Sequence, residues 1–378
     1  MKHKFKDYLY KLLEINGSDL HFKSGSNVHM RIEGELHAIH ADRLSQKDVE
    51  KIAQNVLTEF QYKSLVKNQE IDCAYELEKN KRFRVNFFYQ VNGLSAVFRV
   101  IPQNILSLDE LHIPSVVKTL ADLNNGLVLV TGTSGAGKST TMASFIDRIN
   151  KTRRKHIISI EDPVEYLHKE EKCLISQRSV GTSTHSFASG LKSALREDID
   201  IIFIGELRDI ETVQIAMHAA NTGHLVVSTL HTLDAKETIS RILGMFPKEE
   251  QERVRMTLSF ILEGIVSQRL VETVDGKRIP AVEVMLKTQR NSELIAENRD
   301  NEILESLEQG KEIYGTQTFD QSLLELYNNN KIAKSVALAN ATNTSDMNLK
   351  MQGIKQASGY ETTKSLVKNN VKSSFELK

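Results

Sequence analysis

The run Gly132-Thr133-Ser134-Gly135-Ala136-Gly137-Lys138-Ser139 directly follows the apolar stretch Leu127 to Val130 and matches G-x-x-x-x-G-K-[ST]. Glycines at that spacing let the backbone bend until successive N–H groups and a helix N-terminus face phosphate oxygens. Lys138 then reaches the β- and γ-phosphates, and the hydroxyl of Ser139, followed by Thr140, is placed to hold magnesium. The chemistry expected is binding of a magnesium nucleoside triphosphate such as ATP. A second apolar run, Ile201 to Ile204, ends in Gly205-Glu206-Leu207-Arg208. An acid at such a strand end can poise water, or simply cap the next helix. A third run, His156 to Ile160, delivers Glu161, Asp162, Pro163 and Glu165. Acids there can organise magnesium and water, and helix capping beside a proline is an equally simple reading.

The elements that must position these residues follow from periodicity. LVLV, HIISI, IIFI and LVVST alternate with polar or amphipathic stretches of ten or more residues, the pattern of a parallel sheet covered by crossover helices. This predicts an α/β unit over residues 118–331. Beyond Pro247 the pattern reads as helical, with Val254, Leu258, Ile261 and Ile265 on one stripe and a capping box at Thr318-x-x-Gln321. Residues 1–100 read instead as a small α+β domain. Two β-rich spans, Leu20 to Ile39 and Ile71 to Val100, flank a helix face behind Ser45, and Asn92-Gly93 marks a hairpin turn. Residues 101–117 are expected to be an interdomain linker, and residues 332–378, polar and poor in apolar side chains, a flexible tail.

Composition removes several function classes. With 378 residues, 40% hydrophobic and 26% charged, the chain has ample material for buried cores. Forty-nine basic and forty-nine acidic residues leave no overall positive field for nucleic acid or anionic lipid. Cys73 and Cys173 alone cannot build a disulfide framework or a four-thiolate zinc site. The amino-terminal segment does not read as a secretory signal, and no apolar run approaches the ~18 residues needed to cross a bilayer. A cytoplasmic location without direct membrane insertion is expected.

The order GTSGAGKST, ISIEDPVEY, IIFIGELRD and TGHLVVSTLHT resembles the secretion and type IV pilus ATPase family, with SDLHF, RFRVNFF and AVFRVIP resembling the amino-terminal domain of its retraction (PilT/PilU) branch. The resemblance implies a PAS-like domain before a RecA-like P-loop ATPase domain. It implies Walker A at Gly132 to Ser139, an "Asp box" at Glu161 and Glu165, and Glu206 as the Walker B glutamate. It also implies a "His box" at His224 and His231, where the simpler alternative is a packed or capping histidine. In this family arginines of one subunit reach the nucleotide of its neighbour in a hexamer. Arg82, Arg84 and Arg99 match, although alternating arginines on a strand are also a common solvated face.

The branch is read from three features. The zinc motif of assembly ATPases cannot be built from two cysteines, and the amino-terminal domain is the short single kind. The AIRNLIREGK helix typical of PilT-type proteins is replaced by NSELIAENRDNEI. Tyr314 to Glu325 and Ala339 to Lys350 resemble the accessory, PilU-like retraction ATPases. The expected partners are a second retraction ATPase of the PilT type and an inner-membrane pilus platform protein. An assembly or type II secretion ATPase, a scaffold that binds ATP without needing turnover, and a DNA motor are the rival readings.

Overall fold

The computed structural model describes residues 4–39, 43–79, 81–101 and 104–352. Six antiparallel strands form the first sheet: β1 Asp19–Lys23, β2 His29–Ile32, β3 Glu35–Ala38, β4 Glu70–Glu78, β5 Lys81–Gln90 and β6 Gly93–Ile101, in the order β3-β2-β1-β6-β5-β4. Alternation along these strands sends Leu20, Phe22, Phe83, Val85, Phe87 and Phe98 to one buried face. The Phe98 ring sits at its centre, edge-on to Phe22, Tyr75, Phe83 and Phe87. Helices Lys4–Glu14, Gln46–Val56 and Glu59–Asn68 belong to the same unit, the second capped by Ser45 as the sequence indicates. The other face is charged, and Arg31, Asp19, Arg99 and Arg84 stand in register across four strands.

The second sheet holds β7 Gly126–Thr131, β8 His156–Glu161, β9 Leu174–Ser179, β10 Ile201–Ile204, β11 Leu225–Leu230, β12 Leu262–Glu272 and β13 Arg278–Leu286. Its order is β13-β12-β7-β11-β10-β8-β9, with β13 antiparallel and every other pairing parallel. Because β7, β8, β10 and β11 are parallel, residues that leave their carboxyl ends share one edge of the sheet. All residues of β7, β10 and β11 are buried, as near-continuous apolar runs require when helices cover both faces. Among the described residues, no helix is long and apolar enough to cross a membrane.

Three expectations need correction. The helical stripe after Pro247 ends with Lys248–Ile261, and Ile265 belongs to β12 instead. The switch comes at Leu262 to Gly264, where a bulge starts a hairpin whose β-branched Ile265, Val266 and Val271 pack against neighbours on the sheet. The span expected as a linker is not a free tether, since Leu108, Ile113 and Val117 are buried against β7, β12 and β13. The polar tail expected from Ile332 instead begins with helices Lys334–Asn340 and Thr344–Met351. They pack Ala337 and Met347 against Phe319 and Leu323. Residues 353–378 lie outside the described residues.

Candidate functional site

The loop after β7 is shaped by three glycines with left-handed backbone: Gly132 (φ 147°), Gly135 (φ 79°) and Gly137 (φ 89°). Gly132 has no room for a side chain, since a Cβ there would lie 2.4 Å from the Gln268 carbonyl oxygen. Around Gly135 a Cβ would meet nothing within 4 Å, so the loop's rim is open. The Ala136 N–H donates to Thr133 O at 3.1 Å, and Thr141 N–H to Gly137 O at 3.0 Å starts the helix Lys138–Thr152. The first-turn N–H groups at Lys138, Ser139 and Thr140 have no intrahelical acceptor. An open rim, a helix N-terminus and a lysine at its first position fit the phosphates of a nucleotide. Ser139 is exposed and suited to magnesium, whereas the Thr140 hydroxyl lies 3.0 Å from that of Tyr166.

Lys138 is 9% exposed, and its Nζ donates to Gly132 O at 2.7 Å and Thr133 O at 3.0 Å. Burial lowers its pKa, with the carboxylates of Glu206 and Glu165 opposing. The same Nζ lies 3.4 Å from His231 Nδ1, and His231 Nε2 lies 3.6 Å from Glu206 Oε1. The imidazole therefore joins the loop lysine to the strand-end acid. It can do so because β11, which His231 follows, lies between β7 and β10. Glu206 Oε2 accepts from Arg208 Nε at 2.8 Å, and Arg208 Nη1 donates to Asp162 Oδ2 at 3.2 Å.

At the end of β8, Glu161 is 9% exposed, and burial pushes its carboxyl up to about 7 against the hydrogen bonds it accepts. Those come from Ser159 Oγ at 2.8 Å and the Glu165 N–H at 3.4 Å. Glu165 faces the amino-terminal sheet: Arg84 Nη1 donates to its Oε1 at 3.3 Å and Arg82 Nη1 to its carbonyl oxygen at 3.5 Å. Arg82 is half-buried there, which lowers its pKa. Arg99 is not part of this group, because its Nε donates to Asp19 Oδ1 at 2.7 Å.

His224 is the one predicted nucleotide contact that the fold carries to the wrong end of the sheet. It precedes β11, its carbonyl accepts from the Gly126 N–H at the start of β7, and its Nδ1 lies 3.1 Å from Ala219 O. His231 follows the same strand, whose residues rise by roughly 3.3 Å each, so the two backbone positions are separated by about 23 Å. Sequence reasoning also passed over Arg208, Tyr166 and Gln268. Arg208 could have been read from proximity, as it lies two residues beyond Glu206 in the loop that follows β10. Gln268 comes from β12, and no local pattern ties it to the loop.

The family model described as "Type II/IV secretion system protein" matches residues 2–368. The chain belongs to that family. It is 42% identical over 306 residues to the type IV pilus retraction ATPase PilT of Pseudomonas aeruginosa, covering 81% of this chain and 89% of that one. It is 39% identical over 347 residues to the type IV pilus ATPase PilU of the same organism, covering 92% and 91%. A crystal structure of the pilus retraction motor PilT with bound ADP superposes with a TM-score of 0.83 at 40% identity, over 90% of this chain and 98% of that one. The fold is accordingly the expected α/β one, a small PAS-like α+β domain followed by a RecA-like P-loop domain.

Proposed function

We propose that this chain is a magnesium-dependent ATPase that works as a homo-hexamer to power retraction of type IV pili, alongside a PilT-type partner and against an inner-membrane platform protein. The observation that carries the reading is the unbroken series Lys138, His231, Glu206, Arg208 and Asp162 along the carboxyl edge of the parallel sheet. Similarity to PilT and PilU supports the retraction branch, and the longer span matched by PilU supports the accessory type. A bound nucleotide supplies the phosphoanhydride to be cleaved, and magnesium supplies charge for its oxygens.

This chain's residues do the rest. Lys138, already desolvated, exchanges two carbonyl partners for phosphate oxygens, and Ser139 holds the metal. Glu161 and Glu165 order the surroundings of that metal. Glu206, oriented through one oxygen by Arg208, takes the proton of the attacking water. His231, between the loop lysine and that carboxylate, senses whether the terminal phosphate is in place. Arg82 and Arg84, with Arg99 once released from Asp19, neutralise charge at a neighbouring subunit's site. Glu206→Gln tests the assignment: it should keep nucleotide affinity while turnover falls by roughly 10²–10⁴-fold. Ordinary turnover in that variant would remove Glu206 from the water-activating role.

A further inference from the structure

The strand β12 touches the phosphate loop with one face and the carboxyl-terminal helices with the other. Gln268 is 1% exposed, and its Nε2 donates to the Ala136 carbonyl oxygen at 2.6 Å. Its own carbonyl oxygen abuts Gly132, and a Cβ on Gly137 would lie 3.0 Å from its Nε2. Leu270, two residues on and on the same face, approaches Gly137 as well. Gln268 Oε1 is buried with no hydrogen-bond partner among the described residues, a cost that an apolar side chain would not incur.

Alternate residues point the other way. The Arg269 guanidinium lies 3.9 Å from the centroid of the Phe319 ring, and its Nη1 donates to Asn340 O at 3.1 Å. Val271 joins the cluster formed by Phe319, Leu323, Ala337 and Met347. The residue paired with Gln268 on β13 is Val282, whose N–H donates to Ser322 Oγ and whose carbonyl accepts from Gln317 Nε2. One strand segment is thus clamped between the phosphate loop and the helical unit at residues 317–351.

We propose that Gln268 is a positioning residue for the phosphate loop, through which docking of the carboxyl-terminal helices sets the loop's affinity for nucleotide phosphate. The proposal rests on the loop being a nucleotide site. Gln268 holds the Ala136 carbonyl, and with it the turn between Gly135 and Gly137, in the arrangement that aims the helix N-terminus outward. The helices act on Gln268 by fixing Arg269 and Val271, so a shift of that unit moves the loop's anchor.

The test uses the full chain with ADP as the probe, beside amide hydrogen exchange without nucleotide. Gln268→Leu, which keeps the volume and removes the donor, should weaken ADP binding roughly ten-fold. It should also speed exchange across residues 132–140 while leaving the parallel strands and the thermal midpoint unchanged. Gln268→Met repeats the test should the leucine variant fold poorly. Arg269→Met should weaken ADP binding about three-fold with Gln268 present, and add nothing once Gln268 is leucine. Wild-type affinity and exchange in both Gln268 variants would overturn the positioning role, and so would faster exchange throughout the molecule. Equal losses from Arg269→Met in both backgrounds would overturn the link to the helices. Failure of the unsubstituted chain to bind ADP would sink the nucleotide reading alone, because the exchange comparison needs no nucleotide.

Discussion

Glu283 on β13 is 3% exposed, and its Oε1 accepts the N–H of Ala235, the first residue of helix Ala235–Gly244, at 2.9 Å. Burial pushes its carboxyl up to about 7 from the ordinary 4.5, and the Ala235 bond and Arg269 offset only part of that. A folded-state pKa above the unfolded one means that the stability this acid contributes is complete below pH 4.5 and is lost as pH rises through about 7. At about 1.4 kcal/mol per pH unit, the gap amounts to about 3 kcal/mol, most of it falling between pH 5 and pH 8. Gln at this position keeps the acceptor and the shape but has no proton to lose. Glu283→Gln should therefore gain about 3 kcal/mol on wild type between acid and pH 8. Glu161, also raised to about 7, is common to both proteins and cancels from the comparison. Urea unfolding followed by circular dichroism at pH 5, 6, 7 and 8 measures it. Parallel curves for the two proteins would refute the reasoning, because they would show that Glu283 does not change its protonation between the folded and unfolded chains.

Other substitutions probe the site. Gly132→Ala places a methyl group 2.4 Å from the Gln268 carbonyl at a φ of 147°, so it should cost about 1–3 kcal/mol and weaken ADP binding, read by thermal unfolding and ADP titration. Unchanged values would mean the loop is looser than its packing indicates. Arg208→Ala frees Glu206 and Asp162 from their shared partner and should lower kcat by about ten- to a hundred-fold with KM within about two-fold. A rise in KM alone would show that Arg208 acts on nucleotide binding instead.

The phosphate loop and Glu206 were legible because each depends on local geometry: glycine spacing after a buried strand, and an acid where such a strand ends. The parallel sheet was legible for the same reason, its strands being short continuous apolar runs. The loop's anchoring was not, because Gln268 lies 132 positions beyond Ala136 and meets it only once β12 pairs with β7. His224 and His231 show how one motif can mislead. Two imidazoles of one matching segment sit at opposite ends of β11, and only His231 meets Lys138. The hairpin of β12 and β13 was hidden because Ile265 continues the helical spacing of Val254, Leu258 and Ile261 past the point where the helix stops. The two helices after Ile332 bury little beyond Ala337 and Met347, so their docking left almost no apolar signal.

Turnover at the Lys138 site is proposed to drive pilus retraction. The most direct measurement counts surface pili and scores twitching in host cells that lack this protein and in cells carrying Lys138→Ala. Retained or excess pili with impaired movement in both strains is the result predicted here. Few or no pili would contradict it and make the chain an assembly ATPase.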